Sequence, residues 1–250
     1  MIVCVGLATR DTIYAVPRHP EPDGRVVATE RVVAGGGPAA TAAVAIARLG
    51  VAARFVGVVD GELEGVEVVQ IPGRMVESTI LVGDGTRAII AEEPASFTVS
   101  PEMLAGAEWL HVDHVGYQSL QPGRAATWLL SVDAGTPIED LDFDKVDLYS
   151  PPEKMDDGRR AKLTVVTRGA RGCVAYSDGE RIDVPGFAVD AVSTLGAGDV
   201  FHGALLACLV RGLPLRDALV RANACAALSC RALDGRSAIP TWDELEAAVA

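Results

Sequence analysis

Ser193-Thr194-Leu195-Gly196-Ala197-Gly198-Asp199-Val200-Phe201-His202-Gly203 decides how this chain is read. Two glycines and a carboxylate fall within four residues, and an apolar, helix-forming run over 204–210 follows at once. A glycine turn that feeds a helix leaves backbone N–H groups without intrahelical partners. Together with the positive end of the helix dipole, those groups suit an anion such as a phosphate. Asp199 stands beside them, placed to take a proton from a hydroxyl that attacks the phosphate. The same residues also fit a plain glycine turn with Asp199 as an early-helix dipole partner. The stretch alone leaves both readings open.

The surrounding chain favours one α/β domain over 1–250. Its 250 residues are 49% hydrophobic and 22% charged, enough for a sizeable core. Only 5% are aromatic, and Ala, Val and Gly dominate, which suits close helix–sheet packing. A net charge of −12 argues against nucleic acid and anionic membrane as partners. No run reaches the roughly 20 apolar residues of a membrane helix. Residues 1–7 read as a first strand and not as a signal peptide. Five scattered cysteines, none in a CxxC pair, suggest neither a zinc site nor a disulfide framework. A cytoplasmic setting is the expectation.

Strands are expected at 2–6, 54–59, 109–112, 129–132, 146–149 and 163–167, with an antiparallel pair at 172–176 and 181–184. Helices are expected at 39–49, 200–211, 215–233 and 241–249. Pro38 suits a first helical position and Gly50 a helix C-cap. Alternating strands and helices predict a mostly parallel sheet covered on both faces. Two segments stand apart. Residues 12–33 hold two alternating runs around a Pro-rich turn, and 78–91 reads as a hairpin around Gly83-Asp84-Gly85.

Two signatures, in this order and at this separation, resemble the ribokinase/PfkB-type carbohydrate kinases across nearly the whole chain. The first is Gly35-Gly36-Gly37-Pro38-Ala39-Ala40-Thr41-Ala42-Ala43 with Arg48-Leu49-Gly50. The second is Gly196-Ala197-Gly198-Asp199 with Val200-Phe201-His202-Gly203-Ala204. The GGGPAATAA form, the VFHGAL form and Asp234-Gly235-Arg236-Ser237-Ala238-Ile239-Pro240 look most like the branch of sulfofructose kinases and ketohexokinases.

The resemblance implies a three-layer α/β/α ribokinase-like fold with a small β-sheet lid from about 12–33 and 78–92, and a homodimer formed through that lid. It implies transfer of the γ-phosphate of ATP to a primary hydroxyl of a ketose or related sugar. Asp199 matches the family's base, and the N–H groups of Gly196, Ala197 and Gly198 match its anion hole. Asp11 matches the residue that binds sugar hydroxyls, and Gly35, Gly36 and Gly37 match the loop along which the sugar lies. Thr167-Arg168-Gly169-Ala170-Arg171-Gly172 matches a nucleotide-binding stretch, and Asn223 the adenine pocket. Arg25, in the lid turn, is a candidate for an anionic group on the substrate.

Each position also has a plainer reading. Asp11 suits a strand-end turn, Gly35 to Gly37 a helix entry, and residues 167–172 a tight turn. Asn223 suits a surface or cap, and Arg25, Arg168 and Arg171 suit solvated charges. His202 reads as a helix-packing residue.

The chain departs from the family in three places. Ser193-Thr194-Leu195 replaces an Asp-Thr-Thr that helps hold a monovalent cation, so ATP and Mg²⁺ are the expected cofactors and K⁺ dependence stays open. Ser150-Pro151-Pro152-Glu153 replaces the magnesium-related Asn-x-x-Glu, leaving Glu153 as the candidate metal residue. The chain is also short by some tens of residues around 60–66, 125–132 and 155–162, where the family carries helices. A non-catalytic sugar or nucleotide sensor on the same fold, and a nucleoside kinase, are the alternatives. A Rossmann dehydrogenase is disfavoured, because no GxGxxG follows the first strand.

Overall fold

The computed structural model describes residues 1–120 and 127–250. In the chain's main sheet, nine strands lie in the order β13-β12-β11-β10-β9-β8-β1-β4-β5. In chain order these are β1 (Ile2–Val5), β4 (Ala53–Gly57), β5 (Glu67–Gln70), β8 (Trp109–Val112), β9 (Leu129–Asp133), β10 (Leu148–Ser150), β11 (Leu163–Thr167), β12 (Cys173–Ser177) and β13 (Glu180–Val184). Pairing is parallel from β5 to β11 and antiparallel at β11–β12 and β12–β13. A second sheet of four strands has the order β3-β2-β6-β7, from β2 (Thr9–Ala15), β3 (Glu30–Gly36), β6 (Val76–Gly83) and β7 (Thr86–Ala91). Its strands come from the two segments that the sequence sets apart.

Alternation along the strands divides the core into two. Ile2, Cys4, Ala53 and Phe55 point toward α1 (Pro38–Arg48), α3 (Ala197–Val210), α4 (Leu215–Ser229) and α5 (Trp242–Val249). Val3, Val5, Val56, Leu110, Val112, Leu130 and Val132 point the other way. The first face packs closely because small residues let the helices approach. A Cβ on Gly203 of α3 would overlap the carbonyl oxygen of Ala42 in α1.

The second face is covered more thinly, in the region where the sequence is short of the family's helices. It is covered by α2 (His114–Ser119), by single 3₁₀ turns at Pro101–Leu104 and Phe143–Lys145, and by side chains such as Phe97 and Leu120. The parallel strands β10 and β11 are joined through 151–162 with one 3₁₀ turn, Glu153–Met155. A dozen residues is the lower limit for a helical crossover between parallel strands, and here the connection carries only that single turn. Of the shortening expected at 125–132, residues 125 and 126 lie outside the described residues.

The shorter elements also differ from expectation. β10 begins at Leu148 and not at 146, and α4 ends at Ser229 and not at 233. After Ser229 the chain turns at Cys230, whose carbonyl accepts the N–H groups of Val192 and Ser193. Among the described residues, no helix is long and apolar enough to cross a membrane.

Candidate active site

Gly196 is the N-cap of α3 at φ 72°, a left-handed conformation that only glycine adopts at little cost. Its Cα face packs on Gly235, where a Cβ would come within 3.1 Å of the Gly235 Cα. Ala197, Gly198 and Asp199 form the first turn. The first bond back along this turn is Val200 N–H to Gly196 O at 2.9 Å. The N–H groups of Gly198 and Asp199 precede it and have no helical acceptor. The Ala197 N–H makes only a long turn bond, 3.4 Å, to Thr194 O.

Ala197 and Gly198 of this turn line a cavity of about 470 Å³. Thr167, Gly169, Gly172 and Asn223 line it together with Ala197, Gly198 and Phe201, so the structure brings most of the expected nucleotide residues to the anion-hole turn. A Cβ added at Gly169 or Gly198 would meet no atom within 4 Å, so both glycines border open space. Gly172 is needed for another reason: at φ 86° a Cβ there would overlap Val184 O. Asn223 serves the wall more than the space, since its side-chain amide donates to Pro185 O at 3.1 Å.

Other candidates are engaged elsewhere. The Arg168 guanidinium turns to Asp183 at 2.9 Å and Cys173 O at 3.2 Å, and the residue is not part of the cavity wall. Glu153, exposed on its 3₁₀ turn, pairs with Arg171. The sequence reading missed the 186–191 wall. Its Gly186, Phe187, Ala188, Val189 and Ala191 carry no chemical signature.

On the other side of Asp199 lies the glycine loop. Gly35 and Gly36 end β3, and Gly37 is the N-cap of α1 at φ 90°, where a Cβ would overlap Leu7 O. Asp11 on β2 is 5% exposed, and a side chain on Gly36 would overlap its Oδ2. Burial raises the Asp11 carboxyl above the usual range, while Thr9, the Arg236 charge and Ser78 pull it back.

Arg25 lies exposed in the connection between β2 and β3. The guanidinium at the glycine loop belongs instead to Arg236, which donates to Gly36 O and, through Nε, to Thr41 Oγ1 at 3.1 Å. A Cβ on Gly35 would lie 2.6 Å from another of its nitrogens. Burial lowers Arg236 to about 10, with Asp11, Asp199 and Asp234 working against the fall.

Asp199 is partly exposed at the mouth of the site, yet protein closes around its carboxyl. Loss of solvent, then the charges of Asp133 and Asp113, push it up to about 7 against the pull of His202 and Arg87. That value suits a base working near neutral pH. His202 does more than fill space, contrary to the sequence reading. Its Nδ1 lies 3.1 Å from Asp133 Oδ2. Asp113 is structural. It caps α2 through the Gly116 N–H and accepts from Leu7 N–H at 2.7 Å, which ties β1 to the start of α1.

Comparison with known proteins agrees with this layout. The pattern described as pfkB family carbohydrate kinase matches residues 1–71 and 153–242. An ATP-dependent ribose-1-phosphate kinase from Halopiger xanaduensis is 28% identical over 287 aligned positions, covering 98% of this chain and 97% of that protein. A ribokinase from Bacillus subtilis is 25% identical with 98% of each chain covered. Among solved structures, ribokinase from Thermotoga maritima superposes with a TM-score of 0.79 over 99% of this chain and 98% of that one, at 24% identity. The fold is therefore ribokinase-like. With the family pattern spanning more than half of its residues and both signatures meeting at one site, the chain belongs to the pfkB family of carbohydrate kinases.

Proposed function

We propose that this protein transfers the γ-phosphate of ATP to a primary hydroxyl of a ketose or related sugar. One observation carries the reading. Ala197 and Gly198 line the 470 Å³ cavity, while the next residue, Asp199, shares the field of Arg236, which grips the glycine loop. A donor site and an acceptor site thus meet at one carboxylate.

In this reading the cavity takes the nucleotide. The glycines at 169 and 198 leave room for its phosphates, and the Gly198 and Asp199 N–H groups hold negative charge as it develops. Mg²⁺ arrives as the ATP complex, part of the substrate; Glu153, the carboxylate that the family resemblance offers it, is paired with Arg171. Asp11 and the loop Gly35 to Gly37 hold the sugar hydroxyls. The acceptor hydroxyl gives its proton to Asp199 as its oxygen bonds to the γ-phosphorus. The bond to the bridging oxygen breaks, and ADP leaves. The small sheet would close over the sugar and exclude water. Its β7 strand exposes Ile89 and Ile90, the latter 72% exposed, and this supports a dimer formed through the small sheet.

The test is ATP-to-ADP turnover with Mg²⁺ against fructose, ribose, ribose 1-phosphate, nucleosides and sulfonated or phosphorylated ketoses. Turnover with one acceptor, lost in Asp199→Asn, supports the reading. ATP binding without turnover on any acceptor favours a non-catalytic sensor.

A further inference from the structure

Beneath the base lies a buried polar cluster that the transfer just described does not use. His111 on β8, Ser131 and Asp133 on β9, and His202 on α3 are each 5% exposed or less. His111 Nδ1 and Ser131 Oγ are 3.0 Å apart. The two imidazole rings are tilted at 58° with centroids 5.9 Å apart. Asp133 divides its oxygens. Oδ1 accepts the Gly135 N–H at 2.8 Å, and Oδ2 lies 3.1 Å from His202 Nδ1. Neither ring nitrogen of His202 meets a partner in hydrogen-bond geometry, so its tie to Asp133 is one of charge more than of direction.

A buried ion pair is a poor device for stability, because the cost of removing two charges from water often exceeds their attraction. Around His202, the helix from Val200 to Cys208 is otherwise wholly apolar and buried. Any apolar side chain would pack there at less cost. What distinguishes position 202 is its place one helical turn beyond Asp199. Residues three apart on a helix are side-by-side neighbours. His202 therefore stands between the carboxylate of Asp133 below and that of Asp199 at the site.

We propose that His202, held by Asp133, is a positioning residue for the base: its imidazolium favours the ionised form of Asp199 against the neighbouring carboxylates and so sets the pH range in which the base accepts a proton. This rests on the reading of Asp199 as the base.

The charges around the cluster agree. Burial pulls His202 down, but Asp133, and then Asp199, outweigh it, and the ring holds its proton above the ordinary histidine range. Asp133 is held to about 2, where burial alone would raise it, chiefly by His202. His111 takes the opposite path. Burial and the neighbouring His202 lower it to about 3, so it stays neutral and leaves a single positive charge under the base. Asp199 is faced by Asp133 from β9 and Asp113 from the head of α2, which favour its proton. It is faced by His202 from α3, Arg87 from β7 and Arg236 from the loop after α4, which oppose it.

The experiment needs no turnover. Protein carrying ¹³C at its aspartate carboxyls and ¹⁵N in its histidines is titrated by NMR, with Asp199→Asn to assign the base. In the wild type, His202 is expected to be an imidazolium at pH 7; a neutral ring there overturns the proposal without any variant. His202→Asn is expected to raise the Asp199 midpoint by at least half a pH unit. In an Asp133→Asn background, where the ring has lost its partner, the same substitution is expected to shift the midpoint far less. An unchanged midpoint in His202→Asn, or an equal shift in both backgrounds, overturns the proposal. Melting temperature and ATP binding of each variant separate these shifts from loss of fold. If the charges couple as stated but no sugar is phosphorylated, the kinase reading falls and the coupling stands.

Discussion

Ile2 and Cys4 face one side of the large sheet, and Val3 and Val5 the other, yet the two sides are finished differently. Toward the first lie four helices seated so closely that Gly203 of α3 has no room for a methyl group against α1. Toward the second, among the described residues, lie one short helix, two single 3₁₀ turns and loop side chains. Asp199 and the cavity proposed for the nucleotide belong to the packed side, while Asp11 and the glycine loop come from the small sheet and its junction with α1. The cavity proposed for the nucleotide is walled in part by α3 and α4, and Asp199, the proposed base, rides on α3. Chemistry that depends on sub-ångström placement is carried by close-packed helices, while the other face need only keep the strands dry.

The largest effect expected from breaking this arrangement is at Asp199. Asp199→Asn should lower kcat by about 10²- to 10⁴-fold, the range for loss of a positioned base, with ATP binding intact by calorimetry. The same variant bears on stability. In the folded protein the Asp199 carboxyl holds its proton up to about pH 7, well above its unfolded value. It therefore favours the fold at low pH and loses that contribution as pH rises through 7. Asn, which never ionises, should raise the melting temperature at pH 8 and leave it nearly unchanged at pH 4.

Next in size is the pH profile of the wild type. Because the base must be ionised, kcat/KM should rise about tenfold between pH 6 and pH 8. A flat profile would remove Asp199 from that role.

The comparison between faces is sharpened by two equal truncations. Leu205→Ala, on the helix face, and Leu130→Ala, on the other, both remove buried leucines. Core truncations of this kind cost about 2–5 kcal/mol, depending on how far the site collapses. Denaturant unfolding should place Leu205→Ala near the top of that range and Leu130→Ala near the bottom, since turns settle into a void more easily than docked helices do. Equal losses would mean that the second face is as rigid as the first. The smallest effect is expected at Ile90→Ser on β7. It should leave the melting temperature of the monomer within experimental scatter, while light scattering reports loss of the proposed dimer.

Much of the architecture could be read locally. Pro38 and Gly50 bracket α1, and the small sheet grew from the two segments whose alternation set them apart. β5 escaped notice because Glu67-Val68-Val69-Gln70 is only half-buried and has no strong period. α2 is six residues long and is announced by little more than its cap, Asp113. At the site, Asp199 and the glycines were legible because backbone geometry demands them. Arg236 was not, since nothing in Asp234-Gly235-Arg236-Ser237 says that its side chain reaches Gly36. His202 was read as packing because its sequence neighbours are apolar. Its partner, Asp133, comes from a distant strand.

The bond from Arg236 to Gly36 spans 200 residues of sequence, and that to Thr41 spans 195. A domain generally folds as a unit. The glycine loop is braced only once the segment around Arg236 has docked on it, so loss of that segment alone would leave the Gly36 carbonyl without its guanidinium and the turn at Gly196 without its neighbour Gly235.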